Sequence, residues 1–179
     1  MYATGENSIA ELSTRELQSV RHTRAFTPDR QQLLTGEPRP VPFAINFPSG
    51  ESVGITLLRS GEESSVHWLV FNALQKLAGL PAGWDSYGAR PLNPRAVSRS
   101  VRLLTSIVPP DAPEPTVVPT RDGGVQFEWH RRGIDVEVRV PPVGEISFVV
   151  ADQATEHEGE GIPDRALLDD HFSRMTAAA

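Results

Sequence analysis

Apolar and polar residues alternate across two consecutive runs between Thr116 and Ala151, and glycines lie in the breaks between the runs. Successive side chains of a β-strand point to opposite faces, so this alternation predicts strands with one apolar face. That face holds Val125, Phe127 and Trp129 in one run and Ile134, Val136, Val138 and Val140 in the next. We therefore predict a β-meander over residues 116–150, and a similar alternation predicts an upstream hairpin over residues 41–58.

The turn expected at Arg132-Gly133 sets the register between the two runs. It pairs Trp129 with Val136 and Phe127 with Val138, so that apolar residues meet apolar partners. A slip of one residue would move every side chain to the other face and destroy this match.

The preceding turn is expected at Asp122-Gly123. This dipeptide suits a two-residue type I′ turn, which pairs Val118 with Phe127. Pro119 has no backbone N–H to donate, so the strand that contains it is expected at an edge of the sheet.

Two helices are predicted between the hairpin and the meander. Apolar residues fall on one face over residues 65–78, and a second helix spans residues 94–108 with Asn93 as its N-cap and Pro94 as its first residue. The fold class is therefore α+β, with two helices packed on one face of a mostly antiparallel sheet. The hairpin either extends that sheet or packs beside it.

The remaining segments are expected to lie outside this α+β domain of residues 39–151. Residues 1–38 predict an N-terminal extension with short helices. The acidic, glycine-containing residues 152–162 predict a solvated linker, mobile and dispensable for folding, because such a segment buries little apolar surface. Residues 163–179 are expected to form a C-terminal helix and tail.

Composition narrows the possible functions. The chain has 179 residues and no cysteine, which excludes a disulfide framework, a thiolate metal site and a thiol nucleophile. Its net charge of −6 argues against a nucleic-acid partner, since that binding depends mainly on neutralising phosphates. No signal-peptide pattern is present and no apolar run approaches the roughly 20 residues that span a bilayer, so we expect a cytoplasmic protein with no membrane partner. No phosphate-binding loop or other cofactor motif is present, and no cofactor is expected.

The polar face of the meander carries weak candidate chemistry. The predicted register places Glu128 opposite Glu137 and His130 opposite Asp135. Adjacent carboxylates repel each other, so a cation such as Arg139 relieves them, one has a raised pKa, or they bind a metal cation. The functional interpretation is a cluster that holds a divalent metal or exchanges protons. We favour an ordinary polar sheet face, because alternation produces one on every amphipathic sheet.

An aromatic loop over residues 80–91 connects the two helices. Trp84, Tyr87 and Arg90 belong to residue types enriched among binding hot spots, which suggests a recognition surface. The structural interpretation is that Trp84 packs at the edge of the core and Asp85 forms an Asx turn. We favour the structural interpretation, because a large aromatic residue in a short loop usually packs.

Two motifs, GWD-x-YGA in this loop and DGG-x-Q-x-EW in the meander, resemble those of a family of uncharacterised bacterial proteins. The resemblance covers about residues 74–150. It implies a bacterial, cytoplasmic, single-domain protein and assigns no catalytic residue. It draws attention to the motif positions Trp84, Asp85, Tyr87, Gly123, Gly124, Glu128 and Trp129.

These features favour a non-enzymatic interaction or accessory protein, such as an antitoxin-like partner of another bacterial protein. An edge strand suited to strand addition and the Trp84–Arg90 loop support this hypothesis. The alternative is a metal-dependent hydrolase that uses Glu128, Glu137, His130 and Asp85.

Overall fold

The computed structural model describes residues 39–59 and 66–177, which belong to one compact unit, Arg39–Ala179. The short helices predicted within residues 1–38, and the start of the helix predicted at residue 65, lie outside the described residues. No helix in the described part of the chain is long and apolar enough to cross a membrane. The elements in chain order are β1 (Arg39–Asn46), β2 (Ser52–Arg59), α1 (Val66–Ala78), α2 (Pro94–Ile107), β3 (Thr116–Pro119), β4 (Val125–Arg131), β5 (Ile134–Val140), β6 (Ser147–Ala151), β7 (Glu156–Glu160) and α3 (Arg165–Thr176).

The meander forms a five-stranded antiparallel sheet in the order β3-β4-β5-β6-β7. This confirms the predicted α+β class and the edge position of the strand that contains Pro119. The upstream hairpin is confirmed as β1 and β2, which form a separate two-stranded sheet. The hairpin does not extend the main sheet, and it packs on α1, where the ring centroids of Phe43 in β1 and Trp68 lie 5.3 Å apart.

The core lies between the helices and the inner face of the sheet. Phe127 and Trp129 are buried there as predicted. Strands β4 and β5 contribute buried valines to the same layer. The indole Nε1–H of Trp129 donates to the carbonyl of Pro113 at 2.8 Å, so its polar atom is also satisfied. Trp129 packs against Phe172 of α3, with 5.0 Å between ring centroids.

Helix α2 begins as the sequence predicts. Asn93 is the N-cap, and its side chain accepts a hydrogen bond from the backbone N–H of Arg95 at 2.9 Å. Pro94 occupies the first helical position, where its missing N–H costs no hydrogen bond.

The β4–β5 register is confirmed. Trp129 lies opposite Val136 and Phe127 opposite Val138. Arg132 and Gly133 both have positive φ, 59° and 72°, as a type I′ turn requires.

The register predicted between β3 and β4 was wrong by one residue. Phe127 lies opposite Val117, and Val118 faces Gln126. The Thr120 carbonyl accepts from the Gly123 N–H and the Thr120 N–H donates to the Gly124 carbonyl, which defines a three-residue loop with a bulge at Gly123. Gly123 has φ of 86°, whereas Asp122 is not among the residues with positive φ, so a type I′ turn is ruled out.

The linker predicted over residues 152–162 was also wrong in its central part. Residues 156–160 form β7, which pairs antiparallel with β6. Strand pairing needs only backbone hydrogen bonds, so an acidic segment can add to a sheet without burying its side chains. Gly159 lies beneath the Phe148 ring, where a Cβ would come within 2.8 Å of Cζ.

Candidate functional site

The outer face of the sheet holds the polar cluster that the sequence predicts. In β4, Gln126 and Glu128 point away from the core, and in β5 Glu137 does the same. Glu128 lies directly opposite Glu137, and His130 opposite Asp135. The register thus brings together three of the predicted site residues, Glu128, Glu137 and His130.

The amide of Gln126 relieves the repulsion between the two glutamates. Its Nε2 donates to Glu128 Oε1 at 2.9 Å and to Glu137 Oε2 at 3.2 Å. Arg139 instead pairs with Asp122, with 2.9 Å between Nη2 and Oδ2. The predicted role of Arg139 as the relieving cation is therefore not observed, and a neutral amide two residues before Glu128 takes that place.

His130 is held between two carboxylates. Its Nδ1–H donates to Asp135 Oδ1 at 2.7 Å, since a carboxylate can only accept, and its Nε2 lies 3.7 Å from Glu128 Oε2. The hydrogen bond to Asp135 raises the pKa of His130 against an opposing effect of desolvation, and the charges of Asp135, Glu128 and Glu137 add to the rise.

We expect His130 to titrate above its ordinary pKa of 6.5, and Asp135→Asn to lower that pKa. Because the folded pKa is raised, the charged imidazole stabilises the fold fully below the unfolded pKa, and this contribution is lost as the pH rises through the folded pKa. An NMR titration of the His130 ring measures the effect, with Asp111→Asn as a control on an exposed carboxylate elsewhere. A wild-type pKa at or below 6.5 would contradict the assignment.

The hydrolase hypothesis required Asp85 to join this cluster. Asp85 instead lies in the loop between α1 and α2, where its carboxylate is bound to backbone groups and to Arg121. Among the described residues, no three histidine, aspartate or glutamate side chains are arranged to hold a metal ion.

The loop between the helices is built around Asp85. Oδ1 accepts from the backbone N–H groups of Tyr87 at 2.8 Å and Ala89 at 3.0 Å, and Oδ2 pairs with Arg121 Nε at 2.9 Å. The bond from Ala89 lowers the pKa of the Asp85 carboxyl against the effect of burial, and Tyr87 and Arg121 add to the lowering. Asp85 therefore has the structural role expected of it, although its contacts extend beyond an Asx turn.

The loop is joined to the β3–β4 turn. The N–H of Arg90 donates to the carbonyl of Arg121 at 2.9 Å, and the N–H of Asn93 donates to the carbonyl of Gly123 at 2.9 Å. A Cβ at Gly123 would lie 2.7 Å from the carbonyl oxygen of Pro91, so only glycine permits this contact. The GWD-x-YGA and DGG-x-Q-x-EW motifs are thus parts of one interlocked structure.

Exposed residues of the loop and of the β3–β4 turn form a surface around Tyr87, which we call the Tyr87 patch and define as Tyr87, Arg90 and Arg121. Tyr87 is 80% exposed. The guanidinium of Arg121 lies over its ring, 5.7 Å from the centroid, and Nη2 donates to the Tyr87 carbonyl at 3.0 Å. Trp84 is only half-buried and its Nε1–H donates to the Arg90 carbonyl at 3.3 Å, so it supports the loop from within.

The sequence did not predict the contacts of Arg121 or the bridging role of Gln126. Arg121 reaches Asp85 across a separation in sequence that no local pattern encodes. The predicted register already places Gln126 on the same face as Glu128, opposite Arg139, but it does not show that the amide binds both glutamates.

Comparisons of the chain with protein-family models, curated proteins and solved structures found no match. Function must therefore be inferred from the surfaces of the molecule itself.

Proposed function

We propose that the chain is a non-enzymatic interaction or accessory protein that binds another bacterial protein through the Tyr87 patch. The observation that carries this proposal is the combination of 80% exposure at Tyr87 with a rigidly held backbone beneath it. Tyrosine and arginine are the residue types that dominate binding hot spots, and both are present in the patch.

The geometry supports binding by reducing its entropic cost. Asp85 fixes the backbone N–H of Tyr87 and the guanidinium of Arg121 at the same time. Arg121 in turn covers one side of the Tyr87 ring. A partner would therefore meet an aromatic ring and a cation that are already in place, and preorganisation of this kind favours affinity.

The decisive variant is Tyr87→Ala. An exposed side chain contributes little to folding, so we expect the melting temperature to stay close to that of the wild type. A hot-spot residue contributes about 2 kcal/mol or more, so we expect affinity for the partner to fall roughly thirtyfold. Val143→Ala is the matched control, because Val143 is also exposed, at 74%, but lies in the β5–β6 loop.

The partner can be sought among the products of the neighbouring genes. In this experiment each product would be co-expressed with the chain. Any complex would then be reconstituted from purified components, and its dissociation constant measured by titration calorimetry. Equal affinities for the wild type and Tyr87→Ala would contradict the proposal, as would failure of every neighbouring product to bind.

A metal requirement would favour the hydrolase hypothesis instead. On the interaction hypothesis, Mg²⁺, Mn²⁺ and Zn²⁺ leave the melting temperature unchanged, and Glu128→Gln is neutral or mildly stabilising because it removes repulsion from Glu137. A cation-dependent rise in melting temperature that disappears in Glu128→Gln would overturn the proposed function.

A further inference from the structure

In the part of the chain that the structure describes, one backbone edge of β7, the last strand of the sheet, is unpaired. The N–H of Asp152 donates to the carbonyl of Thr155 at 2.8 Å, and the N–H of Gly161 donates to the carbonyl of Ile146 at 2.7 Å. These bonds fix the alternation along β7, because backbone groups of an antiparallel strand point to its two neighbours in turn. The backbone N–H and carbonyl groups of His157 and Gly159 therefore point toward β6.

The other three residues of the strand, Glu156, Glu158 and Glu160, direct their N–H and carbonyl groups away from β6. Within residues 39–59 and 66–177 no strand pairs with that side of β7. The edge therefore offers three donors and three acceptors in the spacing that an added strand requires.

The opposite edge of the sheet is a poorer template. The bond from the Thr120 N–H to Gly124 shows that Val117 and Pro119 are the residues of β3 that face outward. Pro119 has no N–H, so β3 offers a single donor. The edge strand that contains Pro119, predicted from the sequence to suit strand addition, is thus less suited to it than β7.

Charge distinguishes the kind of strand that β7 accepts. The side chains of Glu156, Glu158 and Glu160 lie on the outer face, and none forms an ion pair with another described residue. An open groove of about 500 Å³ lies on the same outer face, lined by Glu158 and Glu160 of β7 and, further into the sheet, by Glu137 and Arg139 of β5.

A second copy of the chain is a poor occupant. Antiparallel pairing of β7 with itself about Glu158 would place glutamate opposite glutamate at each outward position, and like charges directly opposite destabilise a sheet. A strand with lysine or arginine at alternate positions would instead place a cation beside each carboxylate.

We propose that β7 binds an extended segment of a partner protein, in which basic residues alternate, as a sixth strand of the sheet. This second surface lies at the opposite edge of the sheet from β3 and the Tyr87 patch. It goes beyond the function proposed for the Tyr87 patch, and its test does not depend on Tyr87.

The probe is a synthetic peptide with lysine at alternate positions and valine or threonine between them. A control peptide of the same composition has its lysines in one block, so it carries the same charge without the alternation. We expect the alternating peptide to bind roughly tenfold more tightly, measured by fluorescence anisotropy, because a few matched contacts dominate such interfaces. Equal affinities would show charge attraction alone and overturn the proposal.

Amide hydrogen exchange in the wild-type protein reports the geometry directly. The outward N–H groups of Glu156, Glu158 and Glu160 should exchange rapidly in the free protein and become protected when the alternating peptide binds. Those of His157 and Gly159 should be protected in both states. Binding without protection of the three outward amides would place the peptide elsewhere and contradict strand addition.

Two variants at one position separate charge from backbone bonding. Glu158→Gln removes the charge and keeps the N–H, so we expect affinity to fall about two- to fivefold, as for an exposed ion pair. Glu158→Pro also removes the N–H, and its ring blocks the incoming strand, so we expect a loss of roughly tenfold or more.

Pro119 already occupies the equivalent outward position in β3, which shows that proline at such a position is compatible with this sheet. Glu145→Gln, in the exposed β5–β6 loop, is the charge control. A Glu158→Pro variant that folds and binds like Glu158→Gln would overturn the proposal. Retained binding in Tyr87→Ala, with loss in Glu158→Pro, would separate this surface from the Tyr87 patch.

Discussion

Replacing Phe127 with alanine should lower the free energy of unfolding by about 3–5 kcal/mol. The side chain is fully buried between Val117 and Val138 on the neighbouring strands, and its ring centroid lies 6.4 Å from that of Trp129. A rigid sheet on one side and helices on the other leave little freedom for the site to collapse around the cavity. The loss therefore includes both the transfer free energy of the ring and the cost of the void.

Urea unfolding monitored by circular dichroism measures this change, and Phe148→Ala is the matched control. Phe148 is only partly buried, so the same deletion there should cost clearly less. Phe127→Leu should recover much of the stability, because a smaller cavity remains. A loss below about 1 kcal/mol in Phe127→Ala would mean that the apolar face of the meander is not the main core.

The central strands could be predicted because two independent signals agree there. Alternation places Phe127 and Trp129 on one face, and a turn that requires positive φ at Arg132 and Gly133 fixes the pairing. Neither signal depends on distant parts of the chain.

The β3–β4 turn could not be predicted in the same way, because residues from the interhelical loop determine its shape. The carbonyl of Arg121 accepts from Arg90, and the carbonyl of Gly123 accepts from Asn93. Local preference alone favours a two-residue turn at Asp-Gly, whereas these contacts hold a three-residue loop with its bulge at Gly123.

The same distinction between local sequence patterns and contacts from distant parts of the chain applies to the candidate site. Cross-strand neighbours such as Glu128 and Glu137 follow from the register, so their proximity was predictable. The contacts of Arg121 depend on how a loop meets a turn, and sequence patterns carry no information about that meeting. The Tyr87 patch was therefore only partly anticipated, through Tyr87 and Arg90.

Strand β7 shows a different limitation. Its sequence, Glu-His-Glu-Gly-Glu, has no apolar face, and strand signals depend on such a face. Its place in the sheet depends on backbone pairing and on a glycine that the Phe148 ring covers. The acidic composition favours a linker on local criteria, although it is equally compatible with an edge strand.

Removal of residues 162–179 should prevent cooperative folding. The sequence predicts that the acidic residues 152–162 are dispensable for folding, whereas the helix that follows them is part of the core. Helix α3 buries Leu168, Phe172 and Met175 almost completely, and Phe172 packs on Trp129. Burial of three such side chains contributes roughly 5–9 kcal/mol, which is comparable to the total stability of about 5–15 kcal/mol of an ordinary domain.

An ion pair fixes this helix to the end of the sheet. Asp152, in the turn before β7, accepts from the backbone N–H groups of Ala154 and Thr155, and its Oδ2 lies 2.6 Å from Arg174 Nη2. The bond from Ala154, followed by those from Arg174 and Thr155, lowers the pKa of Asp152 strongly. The turn that leads into β7 and the helix that follows it are therefore held by one carboxylate.

The truncated chain, residues 1–161, should lack near-ultraviolet circular dichroism and should unfold in urea without a sharp transition, because the Trp129 side of the core would be open to water. Removal of residues 177–179 alone is the matched control, since it leaves Leu168, Phe172 and Met175 in place. Addition of a peptide of residues 162–179 should restore the signal if docking of α3 is what the shorter chain lacks. A sharp transition in the truncated chain, at the urea concentration of the full chain, would show that α3 contributes nothing to the core.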